Sequence, residues 1–258
     1  LFCFFFGMKI TFLGTGTSQG IPMIASSDPV CHSTDSRDKR LRSSILISWD
    51  DANYIVDCGP VFRQQVLREN VQEINGILFT HEHSDHTAGL DDTRPFSYKM
   101  GDVPIFADQR TLQSLQKRFE YIFSTTNRYP GAPKLSANLV DKKPFELYGL
   151  VVTPIKVLHG KLPITCFGDV AYITDIKTMT ALEKQKLKGL KTLIVSALRI
   201  EEHPTHFNLQ EALDFVDELQ PERTYLTHIS HKLGFHKAVE KMLPDTVFLA
   251  YDGLVIEV

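Results

Sequence analysis

The sequence predicts a single domain of mixed α/β class, and three observations carry this prediction. Short apolar and β-branched runs, such as Lys9 to Leu13 and Ile74 to Thr80, are typical of buried strands. Stretches with apolar residues at helical spacing, such as Thr111 to Phe123, alternate with them. No repeat, low-complexity segment or linker divides the chain, so its 258 residues, 43% of them apolar, are expected to build one large core.

The composition excludes some classes of partner. The formal net charge is −3, and no run of lysines and arginines is long enough to follow a nucleic-acid backbone, so a nucleic-acid partner is not expected. No stretch is apolar for long enough to span a bilayer. The four cysteines form no C-x-x-C pair, and such sparse usage is typical of a reducing compartment. We therefore expect free thiols and a cytoplasmic protein without membrane contact.

The amino end differs from the rest of the chain. Residues 1–7 form an aromatic-rich run that lacks the basic region and the length of a signal peptide. Met8 opens a more ordinary strand pattern. We interpret residues 1–7 as an amino-terminal extension from a different start site and residues 8–258 as the domain.

The first elements are predicted to be strands and loops. Lys9 to Leu13 alternates and ends in the loop Gly14 to Gly20, which suits either an anion-binding turn or a plain tight turn. The polar segment Ala25 to Arg42 predicts a surface loop. Two β-branched runs around Asp50 to Asn53 predict a hairpin, which ends at Asp57.

Helices and strands then alternate. A helix over Val61 to Glu69 precedes the strand Ile74 to Thr80, and a further strand, Val103 to Phe106, precedes the amphipathic helix Thr111 to Phe123. The segment Ser124 to Asn138 holds two prolines and a glycine without periodicity, so a loop that leans over a site is the expectation.

In the second half of the chain, strands repeatedly end at a residue of metal-ligand type. A strand over Leu147 to Leu158 ends at His159, and shorter strands stop at Asp175 and His228. A β-branched strand also covers Lys191 to Ala197.

A capped helix and a carboxy-terminal hairpin complete the prediction. Asn208 and Glu211 form the pattern of a capping box at the start of an amphipathic helix. Val247 to Ala250 and Leu254 to Val258, placed around Asp252-Gly253, predict a hairpin.

The segment from Thr80 to His86, T-H-E-H-S-D-H, predicts a metal site. It places His81, His83, Asp85 and His86 directly after a buried strand. Residues separated by one position project to the same side of an extended chain, so His81 and His83 can bind one ion. Asp85 and His86 can then face a second ion, and two ions would lower the pKa of a shared water. The alternative is a polar loop with chance histidines.

The order of the ligand-type residues resembles the metallo-β-lactamase superfamily. Within it, the stretches LGTGTSQGIP from Leu13 and LTHISH from Leu226 resemble the PhnP-type phosphoribosyl cyclic phosphodiesterases, over essentially all of Met8 to Val258. The resemblance implies a four-layer αβ/βα sandwich, in which two facing mixed β-sheets carry helices on their outer sides. It also implies a dinuclear metal site at one edge of the sandwich.

The resemblance implies a role for each site residue. His81, His83 and His159 bind the first ion; Asp85, His86 and His228 bind the second; Asp175 bridges the two. Zinc or manganese are the expected divalent ions, with nickel or iron as alternatives. Asp57 is expected to orient a ligand histidine.

The same resemblance assigns catalytic roles to His206 and Asp85. His206 is expected to bind the phosphate and to protonate the departing oxygen. His203 and His236 match no functional position and are predicted to be surface residues.

One departure from the PhnP pattern concerns a further, structural zinc. Relatives hold it with three cysteines and a histidine, whereas the matching residues here are Ser26, Asp28, Cys31 and His231. Cys31 and His231 are strong zinc ligands, and Asp28 offers only an oxygen. An empty or weakly occupied site is therefore predicted.

These features predict a metal-dependent phosphodiesterase. Its expected substrate is a small phosphodiester, of which a cyclic phosphate on ribose is one candidate, and its expected nucleophile is water activated by the two ions. The alternatives are an RNA-processing nuclease like ribonuclease Z and a metal-binding sensor without turnover. A homodimer is left open.

Overall fold

Two facing β-sheets with helices on their outer sides form the fold. The computed structural model describes residues 7–126, 128–159 and 170–258, together with the backbone of the strand Pro163–Phe167. The predicted extension, apart from Gly7, lies outside these residues. In the part of the chain that is described, no helix is long and apolar enough to cross a membrane.

The strands divide into two sheets. They are β1 (Lys9–Gly14), β2 (Ser44–Trp49), β3 (Ala52–Val56), β4 (Gly76–Leu78), β5 (Val103–Ala107), β6 (Leu135–Leu139), β7 (Phe145–Leu147), β8 (Leu150–Leu158), β9 (Pro163–Phe167), β10 (Val170–Ile173), β11 (Thr178–Met179), β12 (Thr192–Ser196), β13 (Arg223–Thr227), β14 (Val247–Leu249) and β15 (Val255–Glu257). Among the described residues, the first sheet has the order β15-β1-β2-β3-β4-β5-β6. The second has the order β11-β8-β9-β10-β12-β13-β14, with β7 paired to β8.

The helices connect the strands. They are α1 (Phe62–Arg68), α2 (Ser84–Thr87), α3 (Arg94–Met100), α4 (Gln109–Arg118), α5 (Glu120–Phe123), α6 (Ala181–Gln185), α7 (Leu209–Leu219) and α8 (His236–Glu240). The predicted capping box at the start of α7 is present, because Asn208 accepts from the Glu211 backbone and Glu211 accepts from the Asn208 backbone.

Three apolar layers confirm the four-layer sandwich. Alternation along β3 sends Tyr54 and Val56 into the layer between the sheets and Ile55 into the layer beneath the helices. In the second sheet, Ile194 of β12 faces the middle layer while Leu193 faces the outer one. Both sheets are therefore apolar on both sides, as strands covered on two faces must be.

The strand directions bring five strand ends to one edge of the sandwich. The strands β3 and β4 run parallel, as do β10, β12 and β13. A residue of metal-ligand type follows the carboxyl end of each of five strands: Asp57 follows β3, His81 follows β4, His159 follows β8, Asp175 follows β10 and His228 follows β13. This topology explains how residues far apart in sequence can meet.

The predicted carboxy-terminal hairpin is wrong. The strand β14 pairs with β13 in the second sheet, whereas β15 pairs with β1 in the first. The Asp252 carboxylate accepts hydrogen bonds from the backbone N–H groups of Thr15 and Leu41, at 2.9 and 2.7 Å, so the turn crosses between the sheets. Alternation alone does not specify a strand's partner.

Several predicted boundaries also differ. The helix predicted over Thr111 to Phe123 starts at Gln109 and breaks at Phe119, whose φ and ψ are −118° and 42°. The predicted loop Ser124 to Asn138 ends in β6, an edge strand with half-exposed residues and therefore no apolar alternation. The single strand predicted over Leu147 to Leu158 is divided by a turn between β7 and β8.

Candidate metal centre

The histidine-rich loop begins just after β4. This strand ends at Leu78 rather than at the predicted Thr80. Asp57 holds Thr80 in place, because its carboxylate accepts from the Thr80 backbone N–H and hydroxyl, each at 2.8 Å. His81 then lies buried and His83 exposed, with His81 Nε2 and His83 Nδ1 2.9 Å apart.

The seven predicted metal ligands come together. Among the described residues, four groups have ligand atoms within 4.8 Å of one another: His81, His83 and His159; His81, His86 and Asp175; Asp85, His86 and His228; and His159, Asp175 and His206. The first and third groups coincide with the two ligand sets that the resemblance implies. Shared members join the groups into one cluster.

Asp175 lies at the middle of this cluster. Its carboxylate oxygens are 3.2 Å from His86 Nε2, 3.3 Å from His228 Nε2, 3.5 Å from His206 Nδ1 and 4.0 Å from His159 Nε2. A carboxylate with imidazoles on both sides has the position that a bridging ligand requires.

Hydrogen bonds fix the orientation of several of these side chains. His86 donates from Nδ1 to Asp57 Oδ2 at 2.7 Å, as predicted for Asp57. His159 donates from Nδ1 to the Thr205 carbonyl at 2.8 Å. Each bond leaves Nε2 of the ring available for a metal, which is how outer partners usually orient ligand histidines.

Several buried ring nitrogens of the cluster are suited to bind a divalent ion. Among the described residues, His86 Nε2, His206 Nδ1 and both ring nitrogens of His228 are buried and make no well-aligned hydrogen bond, although Asp175 oxygens lie 3.2 to 3.5 Å from three of these four atoms. A buried polar atom left without a partner costs about 1–3 kcal/mol, so a cluster of them needs compensation. Imidazole nitrogens and carboxylate oxygens are ligands for zinc, manganese and iron. The cluster can therefore hold divalent metal.

Burial and mutual charge shift the pKa values of the cluster. Burial, together with His86, lowers the pKa of His81 well below its ordinary value. Burial opposes ionisation of Asp175, but His228 and His86 lower the pKa of that carboxyl. Burial likewise opposes protonation of His86, but Asp57 and Asp175 raise its pKa. The Asp175 carboxylate is therefore ionised at neutral pH, the state that metal binding needs, whereas an ion bound at His86 Nε2 would displace a proton from that ring.

His206 lies at the rim of the cluster. Burial, and next the proximity of His228, lowers the pKa of His206 to about 3, so the ring is neutral at neutral pH. Its Nδ1 shares a possible ligand group with His159 and Asp175, although the resemblance implies a residue that does not bind metal. The ring of His203 lies 5.0 Å from that of His206 and is half-buried.

Three site residues have a left-handed backbone. Asp57, Asp175 and His228, each following a strand, have φ angles of 64°, 55° and 54°. Residues other than glycine rarely adopt this conformation, and such positions cluster at functional sites. The left-handed residue turns the chain sharply at the strand end, where its side chain reaches the cluster.

The residues of the further zinc site do not assemble in the same way. Asp28 accepts from the Val30 backbone, and the Cys31 thiol accepts from the Met23 backbone. Within the described residues, no three-ligand group contains Asp28, Cys31 or His231. The occupancy of this site stays a prediction. Of the four cysteines expected to be free thiols, Cys31 and Cys58 are free, and Cys3 and the side chain of Cys166 lie outside the described residues.

Sequence reasoning missed the contacts of two residues, His236 and Arg118, of which Arg118 lies beside the histidine-rich loop. His236, predicted to be exposed, is buried because its Nδ1 lies 3.0 Å from Nη2 of the buried Arg40 and its backbone N–H donates to Asp38. Arg118 of α4 donates to the Glu82 carbonyl and to the Thr87 hydroxyl, both at 2.8 Å, and so supports the histidine-rich loop from outside. Neither contact has a local sequence signal.

Gly59 allows the loop that carries Asp85 to approach closely. A Cβ atom at position 59 would lie 2.1 Å from the Asp85 carbonyl oxygen. We expect Gly59→Ala to lower the free energy of unfolding by about 1–3 kcal/mol, because backbone must move, and to weaken metal binding. Urea unfolding and competition with a chromogenic chelator measure the two effects.

Gly7→Ala is the matched control for this substitution. Among the described residues, a Cβ at position 7 would meet nothing within 4 Å. Wild-type stability and metal affinity in Gly59→Ala would contradict the role of this contact.

Comparisons with known proteins agree on one superfamily. Residues 52–229 match the model of the Beta-lactamase superfamily domain. The crystal structure of a diphosphatase from the PhnP family aligns with this chain with a TM-score of 0.91 and 36% sequence identity. The alignment covers 97% of this chain and 98% of that chain.

Two curated relatives are longer proteins. Octanoyltransferase of Porphyromonas gingivalis is 37% identical over 252 residues, which are 96% of this chain and 51% of that protein. Ribonuclease Z of Thermoplasma volcanium is 22% identical over 199 residues, which are 74% of this chain and 57% of that protein. The chain thus spans only about half the length of these relatives.

Proposed function

Since the chain belongs to the metallo-β-lactamase superfamily and is similar throughout to a PhnP-family diphosphatase, we propose that it is a metal-dependent phosphodiesterase. Its proposed substrate is a small phosphodiester, with a cyclic ribose phosphate favoured. The single observation that carries the proposal is the cluster of buried imidazole nitrogens around the Asp175 carboxylate, several of which make no well-aligned hydrogen bond among the described residues.

The cluster divides into two proposed ion sites. His81, His83 and His159 would hold one divalent ion, Asp85, His86 and His228 the other, and Asp175 would contact both. Zinc or manganese suits this donor set best, with nickel or iron as alternatives. When bound, such ions activate water and stabilise negative charge on phosphoryl oxygens.

The protein's own residues orient the proposed ligand histidines and would supply a proton to the substrate. Asp57 and Thr205 keep the rings of His86 and His159 oriented. Asp85 contributes its charge to the site. His206 faces the cluster through Nδ1 and would hydrogen-bond a phosphate oxygen. The negative charge of that phosphate favours the protonated ring, which can then give its proton to the departing oxygen.

Two other activities are less well supported. RNA cleavage, as in ribonuclease Z, needs contacts to a long polyanion, and a formal net charge of −3 supplies little attraction for one. Octanoyl transfer is the named activity of a protein of which this chain spans about half. We propose no acyl transfer for this chain.

Hydrolysis of a chromogenic phosphodiester tests the proposal. Zinc- or manganese-loaded protein is expected to release 4-nitrophenol from bis(4-nitrophenyl) phosphate, and protein stripped of metal with EDTA is not. Absence of release with zinc, manganese and nickel would contradict the proposal. Cleavage of RNA with a steep dependence on salt would instead support the nuclease alternative.

A further inference from the structure

The helix α4 contacts Glu82, a residue of the histidine-rich loop, from both of its ends. Arg110, in the first turn of α4, forms an ion pair with the Glu82 carboxylate. Arg118, the last residue of α4, donates from Nη1 to the Glu82 carbonyl at 2.8 Å. The two arginines lie about 12 Å apart along the helix axis. Since Glu82 stands between the proposed ligands His81 and His83, α4 holds the loop at a point between two ligands.

A second set of contacts connects Arg118 to the backbone of His83. Nη1 of Arg118 also donates to the Thr87 hydroxyl at 2.8 Å. That hydroxyl in turn donates to the His83 carbonyl at 2.8 Å, and the Thr87 side chain is fully buried. On the outer side, Nη2 of Arg118 lies 3.5 Å from Ser84 Oγ. A continuous chain of hydrogen bonds therefore runs from α4 to the backbone that carries His83.

The ring of His83 lacks the support that other proposed ligand rings have. The rings of His86 and His159 each contact an acceptor outside the proposed ligand set, at 2.7 and 2.8 Å. Among the described residues, the ring of His83 has a hydrogen-bond contact only with His81 Nε2, which is itself a proposed ligand atom. An ion bound by both rings would replace this contact. The position of the His83 ring then depends on its backbone, which is held from α4.

The helix α4 is itself well anchored. Leu112 and Leu115 are buried in the apolar layer beneath the helices of the first sheet. Asp108 caps the helix, because its carboxylate accepts from the Thr111 backbone N–H at 2.8 Å. An element that is fixed by packing and by a cap can hold a loop in one position.

We propose that Arg118 is a positioning residue, which fixes the backbone of His83 from α4 and thereby raises the affinity of the first ion site for metal. Arg118 acts through Thr87 and the Glu82 carbonyl and is no ligand itself. Its hydrogen bonds are charge-assisted and belong to the stronger class. The inference rests on the metal sites of the proposed function, but it does not depend on the reaction.

Zinc binding, measured by competition with a chromogenic chelator, tests the inference without turnover. Replacing a residue that hydrogen-bonds a metal ligand directly lowers metal affinity by about 10–100-fold, and Arg118 acts one bond further away. We therefore expect Arg118→Ala to weaken zinc binding about tenfold. Arg118→Lys keeps the charge and a donor but loses the planar fork, so an intermediate affinity is expected.

A double-mutant cycle shows whether Arg118 acts through Thr87. Thr87→Val replaces the hydroxyl by a methyl group and so interrupts the chain of hydrogen bonds to His83. We expect Arg118→Ala to weaken zinc binding less in the Thr87→Val protein than in the wild type, because residues that share one network are not additive. Strictly additive losses would overturn the inference.

Two controls separate positioning from a general structural effect. Lys117→Ala removes the neighbouring exposed cation, which takes part in no ion pair among the described residues, and should leave zinc affinity unchanged. Urea unfolding of the EDTA-stripped proteins measures stability without metal. A loss of stability in Arg118→Ala with wild-type zinc affinity would overturn the inference, since Arg118 would then be only a structural contact. Wild-type protein that binds zinc but fails to hydrolyse phosphodiesters would contradict the proposed reaction and leave this inference supported by the affinities.

Discussion

Replacing His206 by alanine should lower kcat for a phosphodiester by about 10²–10⁴-fold, the usual contribution of a positioned acid or base. The ring faces Asp175 through Nδ1 at 3.5 Å, so its removal takes away the imidazole that is proposed to bind phosphate and, once protonated, to give a proton to the departing oxygen. Steady-state kinetics with bis(4-nitrophenyl) phosphate measure the loss.

The metal content of the His206→Ala variant decides between two roles. A proton donor can be removed while both ions remain, whereas loss of metal would make His206 a ligand, as its group with His159 and Asp175 allows. His203→Ala is the matched control, since that ring lies 5.0 Å from His206 and belongs to no ligand group among the described residues. Unchanged turnover in His206→Ala would contradict the assignment of the acid.

Asp175→Asn should reduce metal occupancy and lower kcat by at least about a hundredfold. Replacing a residue that only orients a metal ligand lowers metal affinity or activity by about 10–100-fold. Asp175 itself contacts both His86 and His228, so its replacement is expected to have at least the larger effect. The amide keeps the shape of the carboxylate but loses its charge and one acceptor oxygen, so repulsion between the two proposed ions is no longer offset.

Metal analysis after gel filtration and titration with a chromogenic chelator measure the effect of Asp175→Asn. Asp245→Asn, at an exposed position, is the control for the loss of one negative charge. Full occupancy with two ions in Asp175→Asn would contradict the bridging position.

Part of the clustering of these side chains could be predicted from local signals. The spacing of His81, His83 and His86 is visible in a short segment, and the other ligands follow apolar runs that the sequence marks as strands. The middle and outer layers of the sandwich follow from alternation along strands such as β3 and β12. Local patterns therefore indicate the strands and the histidine-rich loop, whereas the complete set of residues and the four-layer sandwich were expected from the resemblance to the superfamily.

What the sequence does not reveal depends on long-range contacts. The turn at Asp252 resembles a hairpin until its carboxylate is seen to bind Thr15 and Leu41. The burial of His236 depends on Arg40, which is 196 positions away. Such pairings are fixed by tertiary packing, which has no short-range signature.

Each of the two sheets supplies part of the proposed metal centre. The first sheet supplies the loop from His81 to His86, and the second supplies His159, Asp175 and His228. Ions bound between the two sheets would hold them together along their common edge, so separating the sheets would also require releasing the ions. The free energy of metal binding would then add to the free energy needed to separate the two sheets.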